Sequence, residues 1–216
     1  MRYLRQQDYI PTDQAKRLPI TVIGAGGIGS WTILALSKTG FKNIKAYDHD
    51  VVEEHNLSNQ SFGDRHKNKH KVDSINDVLS YFGEGQIEVA REKFERGKEA
   101  RRVVIVGVDS LEARREIFNA IEYDANVDLL IDGRMGLTTM MLYCVDMTDR
   151  GAVSAYKESL EGETANLPCT ARTTMSTAMT IGSMITTRVV NYVNGQKNDF
   201  CTIMDTKTND HIRMEG

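Results

Sequence analysis

Apolar positions recur along the chain in two alternating rhythms. Pro19 to Ile23 is a short β-branched run that stops at Gly24, the pattern of a buried strand. A helical period follows from Ile28 to Thr39 and ends near Gly40, a C-terminal stop. Asn43 to Tyr47 reads as a second strand, and 49–66 as a long polar loop. Lys67 to Phe82 is helical, with Val72, Ile75, Val78 and Leu79 on one face. Gln86 to Ala90 reads as a strand, and the charged run Arg91 to Arg102 as a solvated loop or short helix. Val103 to Val106 is the clearest buried strand, followed by an amphipathic helix from Leu111 to Tyr123. Leu129 to Ile131 and Met140 to Val145 are further strands. Residues 147–168 read as a Gly/Glu-rich connection, Arg172 to Asn194 as a long helix, and Phe200 to Met204 as a last strand.

Strands alternating with helices imply an α/β fold: a Rossmann-like, mostly parallel sheet with helices on both faces. Neither an internal repeat nor a low-complexity linker interrupts the pattern. The expectation is one domain over 1–216, with 1–18 as a polar N-terminal arm.

Composition narrows the classes. The 216 residues are 40% hydrophobic and 26% charged, as in soluble globular chains. A net charge of −3 leaves no electrostatic footprint for nucleic acid or an anionic membrane. The stretch Thr173 to Val193 is too polar to span a bilayer. The N-terminus lacks the apolar run of a signal peptide. Cys144, Cys169 and Cys201 are widely spaced, which excludes a four-cysteine zinc site and fits a reducing, cytoplasmic setting.

The chemistry begins at Gly24-Ala25-Gly26-Gly27-Ile28-Gly29, a G-x-G-x-x-G turn between strand and helix. Its glycines permit close backbone approach, and the helix N-terminus offers N–H groups and a positive dipole end to phosphate. Asp48 closes the next strand, where a carboxylate accepts from ribose hydroxyls. These two features alone suggest NAD. Lys71 at a helix start and Asp109 after the Val103 strand suit phosphate cleavage instead. Lysine neutralises phosphate oxygens, and a carboxylate holds the Mg²⁺ that bridges them.

Several motifs then occur in order: Arg2-Tyr3-Leu4-Arg5-Gln6, the glycine turn, Asp48-His49-Asp50, Asn56-Leu57-Ser58-Asn59-Gln60, Lys71, and Asp109-Ser110 followed by Arg114. In this order they resemble the ThiF/MoeB/HesA family, bacterial relatives of ubiquitin-activating enzymes, over nearly the whole chain. The resemblance implies an ATP- and Mg²⁺-dependent adenylyltransferase acting on the C-terminal carboxylate of a ubiquitin-like or sulfur-carrier protein, and a homodimer. Gly24, Gly26, Gly27 and Gly29 would take the phosphates, and Asp48 and Asp50 would form the ribose segment. Asn56 and Gln60 would line the phosphate site. Lys71 and Arg5 would neutralise charge, Arg5 reaching across a dimer, and Asp109 would hold Mg²⁺.

The chain departs from the family at Asn59, where arginine is usual; a neutral amide removes one phosphate-facing cation. The family's zinc-binding cysteine pairs are absent. Leu167-Pro168-Cys169-Thr170-Ala171-Arg172 resembles its cysteine segment. A cysteine ahead of a helix N-terminus has a depressed pKa and could attack the acyl-adenylate to give a thioester or persulfide-linked intermediate. Cys144 and Cys201 read as small core residues. His66 and His70, four apart, lack a third metal ligand. Arg134 reads either as a holder of an acceptor tail or as half of a surface ion pair. Two alternatives stay open: a catalytically weakened nucleotide-binding scaffold, favoured by Asn59, and an NAD-dependent oxidoreductase, favoured by Asp48.

Overall fold

The computed structural model describes residues 2–161 and 173–214. At its centre is β1 (Ile20–Ile23), buried at every position. It pairs in parallel with β2 (Ile44–Tyr47) on one side and β4 (Val103–Val106) on the other. β3 (Glu88–Ala90) extends the sheet beyond β2, and β5 (Leu129–Met135) beyond β4, again in parallel. β6 (Thr139–Asp146), β7 (Cys201–Asp205) and β8 (His211–Met214) then add in antiparallel fashion, giving the order β3-β2-β1-β4-β5-β6-β7-β8. The direction changes where it must. Only a tight turn joins β5 to β6, and a parallel pairing needs a crossover.

Helices cover both faces, which is why Val103-Val104-Ile105-Val106 is apolar without alternation. On one face lie α1 (Thr12–Arg17), α2 (Gly27–Thr39), α3 (Lys71–Tyr81) and α6 (Met175–Val193). On the other lie α4 (Leu111–Ile121) and α5 (Arg150–Glu161). The chain leaves β1 toward one face and β4 toward the other. The gap between their carboxyl ends is therefore a topological switch point, where ligands bind in such sheets. Helices α2 and α6 approach closely at Gly182, where a Cβ would come 3.0 Å from the Thr32 nitrogen.

The departures from the sequence reading have local causes. The expected arm holds α1, and Ile10, Ala15 and Leu18 are buried in the core. The helix expected from Lys67 starts only at Lys71, because Asn68 takes a left-handed φ of 63° and Val51 bridges His70. The connection expected over 147–168 contains α5, which buries Tyr156 and Leu160. Strand β5 continues through Asp132-Gly133-Arg134, whose charges are neutralised inside the protein. Strand β8 is exposed at every position, so no alternation marks it.

Candidate functional site

Gly24 ends β1 with φ +90°, a region that side chains with Cβ rarely occupy, and a Cβ there would meet the Gly107 carbonyl at 2.9 Å. A Cβ on Gly29 would overlap the Gly24 carbonyl. The turn is tied to the end of β2 at two points. The Gly24 N–H donates to the Tyr47 carbonyl at 2.9 Å, and the Ala25 N–H to Asp48 Oδ2 at 2.7 Å. Gly26 precedes α2 without any side-chain cap, so the helix presents its first N–H groups and dipole to the sheet edge.

Asp48 is buried and also accepts from the Asp50 N–H at 2.7 Å. Burial pushes its carboxyl above the usual aspartate value, against the pull of Lys71 and the two backbone donors. Asp50 is more exposed. Partial burial raises its carboxyl, but the hydrogen bond and charge of Lys71 prevail and lower it. Lys71 Nζ lies 2.8 Å from Asp50 Oδ2 and the residue is buried, unlike an ordinary surface lysine. It opens α3, the end of a helix that disfavours a cation. Asp50 offsets that cost, and an anion beside Lys71 would offset it further.

A short 3-10 helix, Glu54–Ser58, holds Asn56, and the residues that follow it, Asn59 and Gln60, come up to the glycine turn. Asn56 is buried and its Oδ1 caps this helix by accepting from the Glu53 N–H at 2.9 Å. The segment is pinned to α2: Trp31 Nε1 donates to the Asn59 carbonyl at 2.9 Å, and the Ser61 N–H to Ser30 Oγ at 3.1 Å. Gln60 Nε2 is 3.9 Å from the Cβ position of Gly26. Its Oε1, and Asn59 Oδ1, are buried with no hydrogen-bond partner. Buried polar atoms are rarely left so, and these two amides beside a phosphate-type turn fit a polar ligand.

Across the switch point, the Gly107 N–H bonds the Ile23 carbonyl at 2.9 Å, so the segment after β4 packs against the glycine turn. Asp109 follows at the same sheet edge, exposed and in no ion pair among the described residues. Mg²⁺ is commonly held by one or two carboxylates together with phosphate oxygens, and a free carboxylate at this edge fits it. Asp48, His49 and Asp50 also bring three donor atoms within 4.8 Å of one another. Asp48 is already committed to two backbone N–H groups and Asp50 to Lys71.

A model of the ThiF family matches residues 4–215. The chain belongs to the ThiF family. Over 135 residues it is 29% identical to a probable adenylyltransferase/sulfurtransferase MoeZ of Mycobacterium tuberculosis, covering 60% of this chain and 29% of that protein. Over 107 residues it is 35% identical to the NEDD8-activating enzyme E1 catalytic subunit of Dictyostelium discoideum, covering 45% of this chain and 24% of that protein. The match thus spans less than a third of either relative. Among solved structures, E. coli MccB with ATP superposes with a TM-score of 0.70 at 15% identity, over 94% of this chain and 65% of that one. At that identity the likeness establishes the Rossmann-like fold.

Within this ThiF-family frame, Arg5 stands apart from the other candidates. The N-terminal segment docks at the far ends of α2 and α3. Gln6 Nε2 donates to the Thr39 carbonyl at 2.5 Å, and Arg2 Nη1 to the Gly83 carbonyl at 2.6 Å. The 13 residues of α2 separate this end from the glycine turn by about 20 Å. Arg5 is exposed there and lies out of reach of its own chain's site.

Arg134 is a correction: it is buried, and its Nε donates to Asp132 Oδ2 at 2.7 Å, so it is not half of a surface ion pair. Asp132, which pairs with it, and Tyr156, which bonds Asp132, were missed as functional candidates; an Asp-Gly-Arg triplet at a strand end is the signal the sequence offers. His66 is buried, with Nδ1 accepting from the Gly63 N–H at 2.9 Å, so it is engaged locally. Cys144 and Cys201 are buried and free, and burial pushes their thiols up to about 12 and about 11. Cys169 and Arg172 lie outside the described residues.

Proposed function

We propose that this chain is an ATP-dependent adenylyltransferase that activates the C-terminal carboxylate of a ubiquitin-like or sulfur-carrier protein. The observation that carries the reading is Lys71: a buried lysine at a helix start, held by Asp50, whose N–H bonds the same Asp48 carboxylate that ties down the glycine turn. Asp48 receives the ribose hydroxyls. The glycine turn and the N-terminus of α2 receive the phosphates, with Gln60 and Asn56 alongside. Lys71 exchanges Asp50 for a phosphate oxygen and neutralises it. When bound at Asp109, Mg²⁺ supplies charge neutralisation across the phosphate oxygens.

The acceptor carboxylate attacks the α-phosphorus in line. A carboxyl–phosphorus bond forms as the bond to the leaving pyrophosphate breaks. The chain's contribution is position and preorganised positive charge. Arg5 contributes its charge from a second copy, since its own glycine turn is out of reach; this makes the working unit a homodimer. Attack of the Cys169 thiolate on the acyl-adenylate then gives a thioester and releases AMP.

The names of the similar proteins support the class: one is a probable adenylyltransferase/sulfurtransferase, another a NEDD8-activating subunit, and MccB has a structure with ATP. A nucleotide-binding scaffold is the second reading, favoured by Asn59. The oxidoreductase reading rests on Asp48, which an ATP ribose uses equally. Incubation with α-labelled ATP, Mg²⁺ and carrier proteins ending in a flexible tail decides between them. Label transferred to the carrier supports the proposal, and saturable ATP binding without transfer supports the scaffold. A Cys169→Ala variant that still forms a thiol-cleavable conjugate removes the thioester step.

A further inference from the structure

Behind the site, on the α5 face of the sheet, three charged side chains are packed together inside the protein. Asp132, Arg134 and Arg114 are 0%, 1% and 2% exposed. Asp132 Oδ2 accepts from Arg134 Nε at 2.7 Å and from the Tyr156 hydroxyl at 3.0 Å, while its Oδ1 pairs with Arg114. Arg134 in turn is clamped over the Tyr143 ring, 4.6 Å from its centroid. A second nitrogen of Arg114 donates to the Val108 carbonyl, one residue before Asp109.

Buried ion clusters are weak stabilisers, because desolvation cancels much of the attraction. What such a cluster does supply is a fixed direction. The carboxylate of Asp132 cannot rotate while Arg134 and Tyr156 hold one oxygen, so the other aims the Arg114 guanidinium. That guanidinium grips a backbone carbonyl in the turn between β4 and α4. At its ends the turn is also held by the Gly107 N–H on the Ile23 carbonyl, the Ala113 N–H on Ser110 Oγ and the Arg114 N–H on the Ser110 carbonyl.

We propose that Arg134 and Tyr156 are positioning residues: acting through Asp132 and Arg114, they fix the Val108 carbonyl and thereby the place of the Asp109 carboxylate. The inference rests on the reading of Asp109 as the metal-holding carboxylate. It explains why the sheet carries charge through β5 at a position where its neighbours are apolar.

The test compares the full chain with Tyr156→Phe, Arg134→Met and Arg134→Lys. Each leaves the Arg114–Asp132 pair in place. Amide exchange is followed without ligand, and Mn²⁺ is used as a spectroscopic probe with a non-hydrolysable ATP analogue. In Arg134→Met, exchange at the Gly107 and Ala113 amides should accelerate while amides of β2 and α6 hold their wild-type rates. Mn²⁺ affinity should fall roughly ten-fold, as for other residues that orient a metal ligand. Binding of the analogue in EDTA should not change. Tyr156→Phe should show a smaller loss, and Arg134→Lys should recover part of the Mn²⁺ affinity. Unchanged exchange and unchanged Mn²⁺ affinity in both Arg134→Met and Tyr156→Phe would overturn the proposal. A uniform rise in exchange along the chain would also overturn it, because it marks a merely structural role. If the wild type binds neither analogue nor Mn²⁺, the adenylyltransferase reading fails, and the exchange arm still decides whether the strut exists.

Discussion

Asp48 ties down the Ala25 N–H, and in the proposed function the same carboxylate would also receive the ribose. Burial raises its pKa, so in the free protein the carboxyl takes up a proton at higher pH than an ordinary aspartate. Ribose hydroxyls bond more strongly to the charged form, so nucleotide binding favours release of that proton. The affinity advantage of wild type over Asp48→Asn should be full well above the raised pKa. It should disappear as pH falls through it, earlier than for an unperturbed carboxylate; titrating both proteins with ATP across the acid range reads this directly. Stability runs the other way. The folded form holds the Asp48 proton more tightly than the unfolded chain, so this group favours folding as the pH drops through the same window.

At the scale of elements, the parallel half of the sheet was legible in the sequence and the rest less so. Runs such as Val103 to Val106 bury both faces and announce themselves, and G-x-G-x-x-G names its own strand and helix. Strand β8 buries nothing, so it carries no pattern. Helix α5 buries two side chains at helical spacing in a segment otherwise rich in charge, which reads as a loop until Tyr156 has a partner. The site divides in the same way. Asp48, Lys71, Asn56 and Gln60 could be named from motifs, but the Asp132 cluster joins α4, β5 and α5, which are distant in sequence. The α2–α6 contact is a further case of tertiary fit: Gly182 reads as a helix-weakening residue, yet its missing Cβ is what lets Trp31 and Thr32 approach. Gly182→Ala should gain helix propensity and still lose about 1–3 kcal/mol of stability through overpacking, measured by urea unfolding.

For the whole molecule, the N-terminal segment is the decisive placement. It docks at the end of α2 opposite the glycine turn, so Arg5 and Lys71 serve one site only if they come from different copies. Arg5→Ala and Lys71→Met homodimers should each be nearly inactive. Mixed under conditions that exchange subunits, they should recover activity, since a heterodimer carries one site with both cations. A mixture as inactive as its components would contradict action of Arg5 across subunits, and an Arg5→Ala protein with wild-type activity would place Arg5 outside the reaction.

The central claim is that this chain cleaves ATP between the α- and β-phosphates in answer to a carboxylate. Pyrophosphate exchange tests it most directly. With ATP, Mg²⁺, labelled pyrophosphate and a carrier protein, label should return to ATP. Exchange should require the carrier's free C-terminal carboxylate and fall on the order of a hundred-fold or more in Lys71→Met. Saturable ATP binding with no exchange for any carboxylate-bearing carrier would contradict it.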